Sequence, residues 1–224
     1  VTFDKSSSLL PIWTADGKRI VFASDIDGIC SICWKAADGT GEVQKICSVP
    51  DLYLRPYSCS SDGKTLAIEE SNFSFTRYDI GTLSMEGDHA RKPLLHEEYI
   101  EGQPNISPDG KYIAYISLES GSLETYVRPF PDVNKGKWQI SADSGTFPRW
   151  SPDGRELFYG RGGAIMAVPV DTRSAFSFGK PKMLFQKMYV PNEAAGPGWD
   201  VSPDGKRFLM IKQPVATDTA AAAE

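Results

Sequence analysis

Large apolar residues along this chain come in short alternating runs, each closed by a polar turn. Ile20-Val21-Phe22, Leu66-Ala67-Ile68, Ile113-Ala114-Tyr115, Leu157-Phe158-Tyr159 and Phe208-Leu209-Met210 are five such runs. Runs of this kind, bounded by Gly, Pro, Asp and Ser, predict β-strands. Each is preceded by the same hairpin. Its copies are Trp13-Thr14-Ala15-Asp16-Gly17-Lys18, Cys59 to Lys64, Ile106 to Lys111, Trp150 to Arg155 and Val201 to Lys206. Aspartate accepts hydrogen bonds from the backbone just after it, and glycine tolerates the positive φ of a tight turn.

The turn aspartates stand at 16, 62, 109, 153 and 204, giving periods of 46, 47, 44 and 51 residues. In every copy a Ser or Thr lies two before the aspartate, and an apolar residue or Cys three before. A period in the mid-forties built of short strands predicts a β-propeller with four antiparallel strands per blade. Trp13, Cys59, Ile106, Trp150 and Val201 are then equivalent, each in the first strand of its blade.

Blades are expected from Leu10 to Val49, Pro56 to Leu95, Pro104 to Ile140 and Pro148 to Phe185. Two strands follow, Trp199 to Val201 and Phe208 to Lys212. Val1-Thr2-Phe3 is expected to complete that last blade as its outer strand, which removes an open sheet edge. One domain, residues 1–213, and a frayed tail, 214–224, complete the organisation.

The Ser-Pro-Asp-Gly-Lys hairpin followed by an aliphatic strand resembles the TolB-like, WD-repeat-related propeller repeats. Trp34 to Gly39, Tyr126 to Pro131, Trp138 to Ser141 and Asp200 to Lys212 are similar to the propeller found C-terminal to bacterial serine/threonine kinase domains. The resemblance implies an all-β ring. Related chains have six blades, whereas the repeat count here favours five. It implies architecture more than activity, because propellers host unrelated functions. The chain holds no kinase motif.

Composition narrows the function. A formal net charge of −5 over 224 residues argues against a nucleic-acid footprint. No run of about 18 apolar residues exists to span a membrane. The first residues look like a strand rather than a signal peptide, so the chain reads as a mature protein or excised domain, periplasmic or cytoplasmic. Cys30, Cys33, Cys47 and Cys59 read as buried thiols, or as one cross-strand disulfide such as Cys33 with Cys47.

In a propeller the innermost strands line the central channel, and the residues leading into them lie at one mouth. The polar and aromatic residues so placed are Tyr53, Arg55, Glu101, Gln103, Asn105, Arg149, Trp199 and Asp200. Two arginines with two carboxylates and aromatics can hold a small polar ligand, a peptide or a protein partner. The plainer reading is that Arg55, Glu101, Arg149 and Asp200 pair with one another around a water-filled channel.

The histidines are His89 and His96. His96 with Glu97, Glu98 and Glu101 could form a divalent-metal cluster, though a solvated acidic loop is the simpler expectation. No Gly-x-Ser-x-Gly elbow offers either histidine a nucleophile. The expected function is a non-catalytic binding module without metal or cofactor, serving as the sensor part of a larger protein. The alternative is a propeller-type lyase or hydrolase, or the accessory propeller of a peptidase.

Overall fold

The computed structural model describes residues 6–26, 28–186 and 196–211. It is an all-β propeller. The first blade comprises β1 (Ser8–Trp13), β2 (Arg19–Ser24), β3 (Ser31–Ala36) and β4 (Gln44–Cys47). The second comprises β5 (Leu52–Cys59), β6 (Thr65–Asn72), β7 (Tyr78–Ser84) and β8 (Arg91–Leu95). The third comprises β9 (Glu101–Ile106), β10 (Tyr112–Ser117), β11 (Glu124–Pro129) and β12 (Trp138–Gln139), with a 3-10 turn at Val133–Lys135. Each is an antiparallel meander in chain order.

The fourth blade has β13 (Thr146–Trp150), β14 (Glu156–Arg161) and β15 (Ala164–Asp171), and its outer rail is split. β16 (Ser177–Phe178) pairs with Val170–Asp171, while β17 (Lys182–Gln186) pairs with Ala164–Ala167. The last sheet contains β18 (Trp199–Val201) and β19 (Phe208–Met210). The expected closure by Val1-Thr2-Phe3 and the expected tail at 214–224 lie outside the described residues. No described helix is long and apolar enough to cross a membrane.

The repeated turn explains its own sequence. In the third blade Asp109 accepts from Lys111 N at 3.1 Å and from the Ser107 hydroxyl at 2.6 Å. Ser107 Oγ in turn accepts from Tyr112 N at 3.0 Å, so the hydroxyl clamps the strand that follows. The other four copies repeat this bond with Thr14, Ser60, Ser151 and Ser202. The Ser or Thr hydroxyl and the backbone N–H from which each turn aspartate accepts hold it below the ordinary carboxylate pKa, at Asp109 against burial that raises it. Trp13, Cys59, Ile106, Trp150 and Val201 each end the first strand of their blade, as the shared spacing predicts.

Apolar residues fill the seams between blades. Leu66, Ile68 and Leu83 pack with Val21, Ile32 and Trp34 between the first and second. Ile80 and Leu95 meet Ile113, Tyr115 and Tyr126 between the second and third. Tyr112 and Val127 meet Trp150, Leu157 and Tyr159 at the next seam. Trp199, Val201, Phe208 and Met210 cover Phe147, Phe158 and Ile165 at the last. None of the four cysteines forms a disulfide. Cys33 stands opposite Lys45, and Cys47 opposite Ile32, so the two thiols are not cross-strand partners.

The innermost strands carry a common irregularity. Leu10, Gln103 and Phe147 have φ of 54°, 54° and 53°, each six residues before its turn aspartate and each followed by proline. Ladder register slips at all three places. The second blade has Pro56 at this position, and a proline ring cannot adopt positive φ. Its slip lies between Pro56 and Ser58 instead. A left-handed bulge bends the strand and increases its local twist.

Candidate functional site

The eight residues selected from sequence lie on the innermost strands themselves, not in the connections before them. Tyr53 and Arg55 are on β5, Glu101, Gln103 and Asn105 on β9, Arg149 on β13, and Trp199 and Asp200 on β18. The mouth is the end of the ring opposite the Asp-Gly turns.

At this mouth Arg55 pairs with Glu69, its cross-strand neighbour on β6, at 3.0 Å. Glu69 is 3% exposed, and its second oxygen accepts from Gln103 N at 3.1 Å on the next blade. Burial raises the Glu69 pKa, countered by Arg55, the Gln103 amide and the Tyr57 hydroxyl. Room for the carboxylate comes from Gly102, where a Cβ would stand 2.5 Å from Glu69 Oε2. The pair is a second-blade feature locked to the third. Sequence reasoning missed Glu69, whose signal was a Glu69-Glu70 pair directly after the apolar run Leu66-Ala67-Ile68 on the same strand. Glu70 faces the other way and binds Arg91 through two nitrogens.

Gln103 and Asn105 join blades through their side-chain oxygens. Gln103 Oε1 accepts from Phe147 N at 2.6 Å, and Asn105 Oδ1 accepts from Trp150 N at 3.2 Å. Trp199 is buried, 8% exposed, in the last seam. Asp200 is exposed, and its Oδ1 accepts from Val201 N.

Glu101 is 1% exposed and makes no ion pair among the described residues. Its Oε1 takes a 3.5 Å contact from Ser117 Oγ, and Oε2 has no hydrogen-bond partner among them. Burial, then the nearby Glu97 carboxylate, pushes its pKa up to about 7. Glu97 itself pairs with Arg128, which also donates to Tyr115 Oη at 2.8 Å.

Arg149 is partly buried on β13. Its Nη1 reaches Tyr57 O at 3.5 Å, while Nε is buried without a partner among the described residues. No carboxylate lies within ion-pair distance of it among those residues. Burial draws its pKa below the ordinary arginine value, and Asp200 and Tyr57 counter that. No ion pair joins these four charges among the described residues. Arg55 is paired with Glu69, and among those residues Arg149 makes one long contact to a backbone carbonyl.

A cleft of about 210 Å³ opens between the second and third blades at this mouth. Arg55, Tyr57, Glu69, Tyr78, Ile100 and Gln103 are among its lining residues. Beside it the β6–β7 hairpin holds Phe73 and Phe75, 48% and 43% exposed. Tyr53 stacks on Phe75 at 5.0 Å and meets Phe73 edge-on at 4.9 Å. The Arg55 guanidinium lies 5.4 Å from the Phe75 ring centre. The hairpin is held by Asn72, whose Oδ1 accepts from Thr76 N and Arg77 N. Phe75 has φ of 52°, a strained backbone that costs a bulky residue about 1–3 kcal/mol. Phe73-Ser74-Phe75, two aromatics in a turn, was the sequence signal for this shelf.

A wider groove of about 390 Å³ lies at the opposite end, between the Asp16 and Asp62 turns. The Oδ1 atoms of both aspartates are engaged in their own turns, and Arg19 stacks 4.0 Å over Trp34. His96 Nδ1 stands 2.9 Å from Asp79 Oδ1, off the line of a hydrogen bond, and 3.2 Å from Arg77 Nη2. No group of three or more His, Cys, Asp or Glu side chains suited to a metal ion forms among the described residues. His96, Glu97, Glu98 and Glu101 therefore do not converge.

No protein-family model matches the chain, and no curated protein sequence matches it. Solved structures do. TolB from Acinetobacter baumannii is similar with a TM-score of 0.74 and 20% identity, over 93% of this chain and 49% of that one. This chain thus spans about half the length of that protein. A putative TolB from Agrobacterium tumefaciens is similar with a TM-score of 0.68 and 17% identity, over 95% and 92%. An oligogalacturonate lyase in complex with manganese is similar with a TM-score of 0.55 and 12% identity, over 92% and 70%. The fold is that of the TolB-like β-propellers.

Proposed function

We propose that the chain is a non-catalytic binding module, and that its channel mouth holds the anionic end of a peptide, protein partner or small polar ligand. The observation that carries this reading is Arg149. Its guanidinium has five N–H donors in a fixed fork, yet among the described residues it makes one long contact to a backbone carbonyl. Buried unpaired donors are rare and are met by a partner or solvent. A carboxylate suits the fork, and contacts of this kind strengthen where solvent is reduced. The proline at 148 limits backbone freedom beside Arg149, which lowers the ordering cost of binding. The kinase-associated resemblance supports a place as the sensor part of a larger signalling protein.

The test is titration calorimetry with short peptides bearing a free C-terminal carboxylate, each run beside its C-terminal amide. Arg149→Ala should abolish binding of the free acids while thermal melts stay nearly unchanged. Binding that persists in this variant, or a large loss of stability with no binding to lose, refutes the site.

A further inference from the structure

We infer that the partner presents an aromatic or large aliphatic side chain next to its carboxylate, and that the Tyr53–Phe73–Phe75 shelf receives it. This rests on the Arg149 reading above and names the chemistry of the ligand's other half.

The shelf and the cation each adjoin the cleft between the second and third blades. Arg149 contacts the Tyr57 backbone, and Tyr57 shares the buried Glu69 carboxylate with Arg55. Arg55 in turn lies over Phe75, which stacks with Tyr53. Tyr78, 6.4 Å from Phe75 by ring centres, joins the shelf to the cleft between the blades. In the inferred pose a ligand held at Arg149 extends past Tyr57 and Tyr78, both lining the cleft, toward the aromatic faces.

The shelf is also ordered in advance. Phe73 and Phe75 remain substantially exposed although they stand on a hairpin fixed by four Asn72 bonds. Two backbone amides reach its Oδ1, Thr76 takes its Nδ2, and its carbonyl receives Phe75 N. Rigid exposed aromatics are the usual anchors of binding surfaces, because they contribute area at little entropic cost.

The polar surroundings decide between ligand classes. A neutral sugar stacked on rings needs free donors and acceptors for its hydroxyls. Here Asn72, Ser74 and Thr76 bond to one another and to the hairpin backbone. What the surface offers instead is apolar area bordering a cleft that Arg149 adjoins through Tyr57. That combination fits a peptide end with a carboxylate and an apolar side chain.

The experiment selects random heptapeptides displayed with free C termini on the immobilised protein. The parent, Arg149→Ala and a double variant, Phe73→Ser with Phe75→Asn, are compared. Asparagine is chosen because it accepts the left-handed backbone at 75. The parent should enrich peptides with Trp, Phe, Tyr or Leu at or beside the C-terminal residue. The double variant should bind these about tenfold more weakly or worse, with an unchanged thermal melt. Enrichment of carboxylates without apolar preference, or full affinity in the double variant, overturns the shelf and leaves the Arg149 reading standing. Apolar preference that survives Arg149→Ala overturns the carboxylate anchor, and with it the pairing inferred here. Retention of neutral oligosaccharides with no peptide enriched overturns both.

Discussion

Glu101→Gln should stabilise this protein at neutral pH and above, and the gain should vanish as pH falls toward 4.5. Glu101 is buried at the start of β9 with one carboxylate oxygen unpartnered among the described residues. Burial and the Glu97 charge raise its pKa from 4.5 to about 7, against a weaker pull from Arg128. A carboxyl whose folded pKa exceeds its unfolded value favours folding in its protonated form. That contribution is complete below pH 4.5 and is lost as pH rises through about 7. Each tenfold step in acidity is worth about 1.4 kcal/mol, which sets a ceiling of about 3 kcal/mol. Water at the mouth screens part of this, so about 1–3 kcal/mol is expected.

Glutamine keeps the shape and cannot ionise. In a domain of this size about 1 kcal/mol moves the melting temperature by roughly 2–4 °C. Thermal melts of parent and variant from pH 4.5 to 8.5 should nearly coincide at pH 4.5, diverge steadily as pH rises, and keep a constant gap above about pH 7, with the variant melting higher. Parallel curves over the whole range would show that Glu101 is paired or solvated in the folded protein, and the reasoning would fail.

Two further changes probe the scaffold that positions the mouth. Gly102→Ala would place a Cβ 2.5 Å from Glu69 Oε2, forcing the carboxylate away from Gln103 N and Arg55. A loss of about 2–4 kcal/mol in denaturant melts is expected, as for other disrupted buried pairs; an unchanged midpoint would place Glu69 elsewhere. Ser107→Ala removes the hydroxyl that accepts from Tyr112 N and donates to Asp109. It should cost about 1–2 kcal/mol, and a neutral result would show that the aspartate alone holds the turn.

The fold was readable because its signal is local. Each Ser/Thr-x-Asp-Gly turn closes on itself through bonds spanning two to five residues, so its chemistry is written in six consecutive letters. Repeated five times at a blade's spacing, it determines strand order, register at the turn and which residue ends each inner strand. Tyr53 and Arg55 were also reachable this way, as positions on the second inner strand.

What those positions do was not local. Gln103 reaches Phe147 across 44 residues, and Arg149 reaches Tyr57 across 92. Glu101 and Arg149 each keep a buried polar atom unpartnered among the described residues, which their place in the repeat does not announce. Phe73 and Phe75 are ordinary turn residues until Tyr53 and Arg55 gather beside them. Trp13 and Trp150 make the same point in one pair. Both end an inner strand three residues before a turn aspartate, but Trp150 is 6% exposed and Trp13 61%. The preceding blade covers Trp150, whose indole N–H donates to the Asn105 carbonyl, and no described strand does this for Trp13. A repeat specifies what each blade is by itself. Burial, charge pairing and exposure belong to the faces between blades, and those exist only once the ring has assembled.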